Sequence, residues 1–344
     1  HIKDGYSRSD DVNMTVHYVM DDGSEAQSDS KQTVSVTESG IKDSVTGKIT
    51  WTPADSQTFK DVVTPKMTGY TPDQDKVAGQ TVKFGDKDIE VTVTYLPDKQ
   101  HMTITYIDDT TGKTLHTDNP EGVSDQDSKY TTKQTIKQYE EKHYKLVSDS
   151  TNGKDLIFDH DDKVDQTYEV HFIHDTQKVN RKDTVTETID YKFEDGKTAQ
   201  PTVTQIENFS EDGTKDLVTG ETTWDKATSQ TFEDVVTPKM TGYTPDKDKV
   251  KGSTVNFGNR DINVTVHYIA NDQTAKITYI DDTEKKTLGS DKQNGKFNQV
   301  ITFEHDPAEV IKGLEEKGYK LVSDNFKPGI KYQNDNKSNS FEVH

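Results

Sequence analysis

The sequence contains no cysteine. That excludes disulfide staples, thiolate metal sites and a cysteine nucleophile, and it leaves the compartment open. Apolar residues are also scarce, at 28% of 344. One large core would be undersupplied, whereas several small domains with thin cores fit that fraction. No apolar run approaches the roughly 20 residues of a membrane helix. No signal or anchor motif is visible, so a targeting segment and a wall anchor are expected outside this stretch. Positive charge is in deficit: 42 Lys and Arg face 62 Asp and Glu, for a net charge of −20. Nucleic acid and anionic membrane surfaces need a basic face, so both are excluded as partners. Motifs for nucleotide binding and serine hydrolysis (GxGxxG, Walker A, GxSxG) are absent as well.

What the chain does have is 15 Tyr, 12 Phe and regular β-branched alternation, which long disordered tracts lack. It also repeats itself. SQTFKDVVTPKMTGYTPDQDKV at 56–77 returns as SQTFEDVVTPKMTGYTPDKDKV at 229–250, identical at 20 of 22 positions after a shift of 173 residues. Gly23, Gly47, Trp51, Phe84, Tyr95 and Tyr106 recur at the same shift as Gly196, Gly220, Trp224, Phe257, Tyr268 and Tyr279. A period this long is a duplicated domain pair, because solenoid repeats run at about 20–50 residues.

Each copy divides again. Alternating segments at 13–23 and 187–196 predict a strand and a turn, and 88–97 and 261–270 predict the closing strand of a first domain. New strands begin at 102–115 and 276–288 after the short links PDKQH and NDQTA. The polar stretch DTQKVNRKD (175–183) reads as a link between copies. Four domains are expected: 1–97, 98–176, 177–270 and 271–344. In the last, 306–318 predicts a helix with Asp306 as N-cap, Pro307 at its first position and Gly318 as stop. Val310, Ile311 and Leu314 share one face of it. In the earlier copy 131–144 takes that place, with Ile136 and Tyr139 inward. Strands are expected after each helix, at 144–149 and 319–324, and at the end, at 167–172 and 340–344. This order is that of a β-grasp, with its first and last strands parallel and central. TFKDVV suggests a short helical turn in the first domain type, and TPKMTGYTPD must be extended or looped because of its Pro and Gly. The fold class expected is α+β, mostly β: small β-grasp (ubiquitin-like) domains in series as an elongated rod, spanning on the order of 130 Å.

YIDDTTGKTL at 106–115, YIDDTEKKTL at 279–288 and the two TPKMTGYTPD segments resemble the mucus-binding repeats (Mub or MucBP family) of lactic-acid-bacterial surface adhesins. The resemblance covers nearly the whole chain and departs at Lys285, where the first copy has Gly112. It implies extracellular, wall-anchored repeats of two β-grasp domains that bind mucin glycans, with immunoglobulin binding in some repeats. It carries over no ligand-contact residue.

The residues themselves offer candidates. Tyr70 and Tyr243, held between Gly and Pro on a loop, and Trp51 and Trp224 are the rings a sugar face can stack on; partial burial in a core is the alternative for each. Asp73 with Asp75 and Asp246 with Asp248 offer oxygen ligands to Ca²⁺, as does DHDD at 159–162, but none fits an EF-hand loop, and solvated acidic loops are the competing account. No cofactor is required. Asp108-Asp109 and Asp281-Asp282 do not make a glycosidase pair, since neighbours on a strand point apart; they read as solvated turn residues. His101, His116, His143, His160, His171 and His174 lack metal-ligand spacing.

A non-enzymatic adhesin segment is therefore expected, gripping mucin through repeated weak contacts, with an immunoglobulin-binding module or a structural stalk as alternatives. A −20 chain is repelled by sialylated or sulfated mucin. Retention should therefore be stronger at mildly acidic pH, where the 62 carboxylates begin to protonate and the 11 His gain charge. Equal retention at about pH 4.5 and about pH 7.4 would count against this.

Overall fold

The computed structural model describes residues 3–53 and 55–344. Residues 1, 2 and 54, all within the expected first domain, lie outside the described residues. The chain forms two compact units. One comprises residues 1–177 with 216–221, and the other 178–215 with 222–344.

In the first unit, β1 (Lys3–Met20) and β2 (Glu25–Asp43) form a long antiparallel hairpin. Val12, Met14, Val16 and Tyr18 alternate with polar neighbours, so one face of β1 enters the core, at 0–2% exposure. The chain then makes β3 (Ile49–Pro53), β4 (Tyr70–Pro72) and β5 (Ile89–Pro97), giving a sheet of order β3-β2-β1-β5-β4. β1 and β5 run parallel, Met14 opposite Ile89 through Met20 opposite Tyr95. Among the described residues the crossover between them carries no helix. TFKDVV (58–63), expected to turn helically, is instead extended at both ends, with Gln57–Thr58 paired with Thr81–Val82 and Val62–Val63 paired with Lys76–Val77. Two adjacent valines favour extended backbone, and Phe59 anchors the segment in the core at 2% exposure.

β6 (Lys99–Asp108), β7 (Lys113–Asp118), β8 (Glu121–Val123), α1 (Lys133–Glu140), β9 (Tyr144–Asp149) and β10 (Gln166–His174) follow. Their sheet order is β7-β6-β10-β9, with β8 also paired to β6. β6 and β10 are parallel and central, Met102 opposite Gln166 through Asp108 opposite Phe172. Tyr106, Phe172, Tyr139 and Tyr144 pack as an aromatic cluster with ring centroids 5.3–6.5 Å apart. The expected links at PDKQH and NDQTA are not loops, since strands cover both stretches almost without a break.

The second copy repeats the plan: β11 (Thr176–Phe193), β12 (Thr198–Asp216), β13 (Thr222–Trp224), β14 (Tyr243–Pro245) and β15 (Ile262–Ala270), ordered β13-β12-β11-β15-β14. β11 overturns one expectation. The polar stretch 175–183, read as a link, is mostly strand, because a hairpin exposed on both faces needs no apolar side chains. Then come β16 (Asp272–Asp281), β17 (Lys286–Lys296), α2 (Pro307–Glu316) and β18 (Ser340–Val343), ordered β17-β16-β18, with β16 and β18 parallel.

Asp306 caps α2 as expected, accepting a hydrogen bond from the Ala308 amide at 3.0 Å, with Pro307 next to it. Val310, Ile311 and Leu314 pack on the core. α1 is shorter than expected. Thr132 makes no side-chain cap and donates its hydroxyl to Asp149 instead (2.6 Å). The strand expected at 319–324 is reduced to an isolated bridge of Asp324 with Val343, beside which the Val322 and Ser323 amides donate to His344 O and the His344 amide donates to Ser323 O. One core substitution also separates the copies. The Tyr106 hydroxyl meets that of Tyr130 at 2.7 Å. Phe303 occupies the place of Tyr130, two residues past the backbone bond that Ser128 and Ile301 each make, and the Tyr279 hydroxyl is left buried without a partner.

Candidate functional site

In both copies the TPKMTGYTP loop is held from behind. The Tyr95 hydroxyl donates to the Pro65 carbonyl and that of Tyr268 to Pro238. Thr64 closes the loop by donating its hydroxyl to Gln74 O at 2.6 Å, and Thr237 does the same to Lys247 O. Gly69 has φ +80°, and a Cβ there would sit 2.4 Å from the His160 Cβ. Only glycine lets the loop come this close to segment 159–163 of the neighbouring domain.

The resulting contact is polar. The Gly69 amide donates to Asp162 Oδ2 at 2.9 Å, and Gln100 Nε2 donates to Asp162 Oδ1 at 2.9 Å. The Thr71 hydroxyl donates to Asp98. The Tyr70 hydroxyl donates to Asp125 Oδ2 at 2.6 Å, and His160 Nδ1 lies 3.2 Å from Asp125 Oδ1. The Asp125 hydrogen bond, then burial, push the Tyr70 phenol up to about 12, while the Tyr70 hydrogen bond holds Asp125 below the ordinary carboxylate range. Between loop and segment lies an open groove of about 890 Å³, lined among others by Met67, Tyr70, Pro72, Asp75, His160 and Asp162. Tyr70 is half-buried, presenting part of its ring beside hydroxyl and carboxylate groups. That is the equipment for stacking on a sugar and bonding its hydroxyls.

The second copy builds the same groove, about 670 Å³, around Tyr243, with Met240, Pro245, Asp248, Asn271 and Asn334 among its walls. Here Tyr243 packs on Phe193 at 5.0 Å and edge-on to Phe297 at 5.4 Å. The tyrosines and DHDD were thus separate sequence candidates that the fold brings together at Tyr70. The participation of Asp98 and Asp125 had no sequence signal, because they lie 27 and 55 residues from their loop partners.

The other candidates fall elsewhere. Trp51 lies under the Arg8 guanidinium (4.1 Å), which also covers Phe84 (4.3 Å) and pairs with Glu38 at 2.6 Å. Trp224 is covered in the same way by Arg181 (4.3 Å). Each ring faces a glycine across the hairpin; a Cβ on Gly40 would lie 2.7 Å from Trp51. Asp73 and Asp246 accept backbone amides of Thr94 (3.0 Å) and His267 (2.9 Å), whereas Asp75 and Asp248 line the grooves. Among the described residues, no group of three or more His, Asp or Glu is placed to hold a metal ion.

Asp108 departs from the solvated turn expected of it: it is 2% exposed. His174 Nε2 lies 2.9 Å from its Oδ2, and His174 Nδ1 lies 2.5 Å from Asp216 Oδ2. All three belong to the first unit. Burial pulls the His174 imidazole down, but the bonds to Asp216 and Asp108 and their charges outweigh it, and the net shift is upward. Both ring nitrogens face carboxylates, the arrangement of an imidazolium clamped between two anions. Sequence separations of 66 and 42 residues hid this cluster.

Comparison with known proteins follows the same division. The Muc B2-like domain family matches residues 4–99 and 176–272, and the mucin binding domain family matches 100–174 and 273–344. A search of curated proteins returned no match. Among solved structures, the crystal structure of Mub-RV is 36% identical, covering 50% of this chain and 99% of its own, with a TM-score of 0.45. The type 2 repeat of the mucus binding protein MUB from Lactobacillus reuteri is 31% identical over 50% of this chain and 100% of its own, with a TM-score of 0.38. The MucBP domain of the adhesion protein from Pediococcus pentosaceus is 32% identical over 26% and 99%, with a TM-score of 0.23. Nearly every residue falls within one of two paired matches that occur twice in the same order, and the chain belongs to the mucus-binding repeat family, as two tandem copies of a Muc B2-like domain followed by a mucin binding domain.

Proposed function

We propose that this chain is a non-enzymatic segment of an extracellular bacterial adhesin and that it binds mucin glycans in the grooves at Tyr70 and Tyr243. One observation carries the reading: the same half-buried tyrosine, on the same glycine-hinged loop, lines an open polar groove in both copies. Family membership supplies the ligand class. In the first mucin binding domain the strands before and after the helix include a central parallel pair, β6 with β10, and the second keeps the parallel pair β16 with β18, which supports a β-grasp reading of them.

Two weak grooves on one chain suit a repetitive ligand, since occupying one raises the effective concentration at the other. Tyr70→Ala and Tyr243→Ala are each expected to lower retention on immobilised mucin about tenfold, and the double variant about a hundredfold or more. Enzymatic deglycosylation of the mucin should reproduce the double variant's loss. Undiminished retention of the double variant would place binding elsewhere, and retention on an immunoglobulin surface that survives deglycosylation would favour a protein-recognising module.

A further inference from the structure

The two grooves share a backbone and differ systematically in charge. Asp98 accepts the Thr71 hydroxyl and donates its amide to Gly69 O; Asn271 makes the same two bonds with Thr244 and Gly242. Asp162 accepts Gln100; Asn334 accepts Gln273. Asp125 and Asn298 hold the same left-handed turn, at φ 62° and 66°, and donate their amides to Phe158 O and Tyr332 O. Two carboxylates lining the first groove, Asp98 and Asp162, and a third bonded to its tyrosine, Asp125, are therefore carboxamides in the second copy. The second copy also makes its loop two residues shorter, between Tyr332 and Asn334 as against Phe158 and Asp162, and so has no counterpart of His160 and Asp161. Two lysines face four aspartates along the first groove, whereas one lysine faces one aspartate along the second. The next residue, Asp335, is committed to its own turn, where it accepts the Ser338 amide at 2.7 Å.

Shared hydrogen bonds show what the replacement preserves. Asn271 takes over the acceptor role of Asp98 toward the loop threonine, and Asn334 that of Asp162 toward the buried glutamine, so those two bonds survive the loss of charge. Only the charge and the extra donor differ: a carboxylate accepts alone, whereas a carboxamide also donates. The Asn334 oxygen is occupied by Gln273 Nε2 and Asn271 Nδ2, which leaves its own Nδ2 as the group it can offer to an incoming acceptor. A carboxylate or sulfate entering the first groove meets several like charges within a few ångströms. In the second it meets amide donors and the Lys239 ammonium.

We infer that the two grooves divide their ligands by charge: the second takes glycans ending in a carboxylate or a sulfate, and the first takes neutral glycans and rejects acidic ones. This rests on the reading of both grooves as glycan sites. One chain would then grip both the acidic and the neutral chains of a single mucin, which also answers how a protein of net charge −20 holds an anionic ligand.

The full chain with Tyr70→Ala tests the second groove, and with Tyr243→Ala the first. Each is measured at neutral pH on native mucin, on mucin treated with sialidase, and on mucin treated with sulfatase. The Tyr70→Ala chain should lose at least about fivefold in retention when the acidic termini are removed. Whichever enzyme causes the loss identifies carboxylate or sulfate as the source. The Tyr243→Ala chain should be unchanged or gain. Adding Asn271→Asp and Asn334→Asp to the Tyr70→Ala chain should abolish its preference for acidic mucin. Unfolding midpoints within about 3 °C of the parent chain confirm that each variant is folded. Equal sensitivity of both chains to the two enzymes would overturn the division by charge while leaving the grooves as binding sites. Retention of both chains equal to that of the parent on every surface would overturn the groove reading itself, and the division with it.

Discussion

His174→Ala is expected to destabilise the first unit by about 3 kcal/mol. The substitution leaves Asp108, 2% exposed, without its cation, and Asp216 without one of its partners. The amide of Thr110 and the hydroxyl of Thr111 still serve Asp108, and the amides of Val218 and Thr219 still serve Asp216, so the loss is partial. His174→Gln keeps a hydrogen bond to one carboxylate but no charge and should fall between. Denaturant unfolding measures the loss, and amide hydrogen exchange across 216–221 locates it. Unchanged exchange in that turn would show that the cluster does not hold it.

The same cluster sets a pH window. The His174 imidazole is raised in the folded chain, so its contribution is complete below its ordinary value of 6.5 and disappears as pH rises through the folded value. Burial pushes Asp108 and Asp216 up, but hydrogen bonds to His174 and to the turn residues outweigh it, and both end below their ordinary 3.8. Their contribution is complete above that value and disappears as pH falls through the folded ones. Tyr144, edge-on to the imidazole at 5.3 Å, is itself raised by burial and stays neutral throughout this range. Protection of 216–221, corrected for intrinsic exchange, should therefore be greatest between about pH 4 and pH 6.5 and decline on both sides. A profile flat from pH 4 to pH 9 would contradict the ion cluster.

Gly69→Ala is expected to cost about 3 kcal/mol and to remove the first groove's share of mucin retention. Alanine at φ +80° carries roughly 1 kcal/mol of strain, and the rest comes from crowding. The new Cβ would lie 2.4 Å from the His160 Cβ, 2.8 Å from its Cα and 2.9 Å from its carbonyl oxygen, so backbone has to move. Movement would break the bond from the Gly69 amide to Asp162 and the one from the Asp98 amide to Gly69 O. Gly242→Ala is the control. Its φ is +82°, but its Cβ would meet the Phe297 ring at 2.3 Å, and a ring can rotate where backbone cannot. A smaller stability loss is expected there, read from the unfolding midpoint. Equal losses at the two glycines would show that backbone crowding is not what the first copy avoids.

Local signals were legible wherever neighbours in sequence are neighbours in space. The duplication, the strand alternation within 13–23, the Asp306-Pro307 start of α2 and the tyrosine loops were all readable from residue types and spacing. Two misreadings share one cause, which is that composition was taken for conformation. Residues 175–183 are polar yet mostly strand, because the hairpin they enter is solvated on both faces, and TFKDVV is extended because its short pairings with 76–77 and 81–82 override helical propensity. Trp51 and Trp224 illustrate the opposite limit: their residue type was informative, but only the fold shows an arginine lying over each ring.

By itself the sequence determined that this is a duplicated, cysteine-free, acidic β-rich chain of the mucus-binding repeat family, because repeats and alternation are written locally. Tertiary structure alone decided that Tyr70 meets Asp125, that Asp162 reaches the Gly69 amide, and that His174 joins Asp108 to Asp216. Each of these contacts closes a long loop in the chain. Such contacts are selected by the packing of whole strands, and no window of sequence contains both partners.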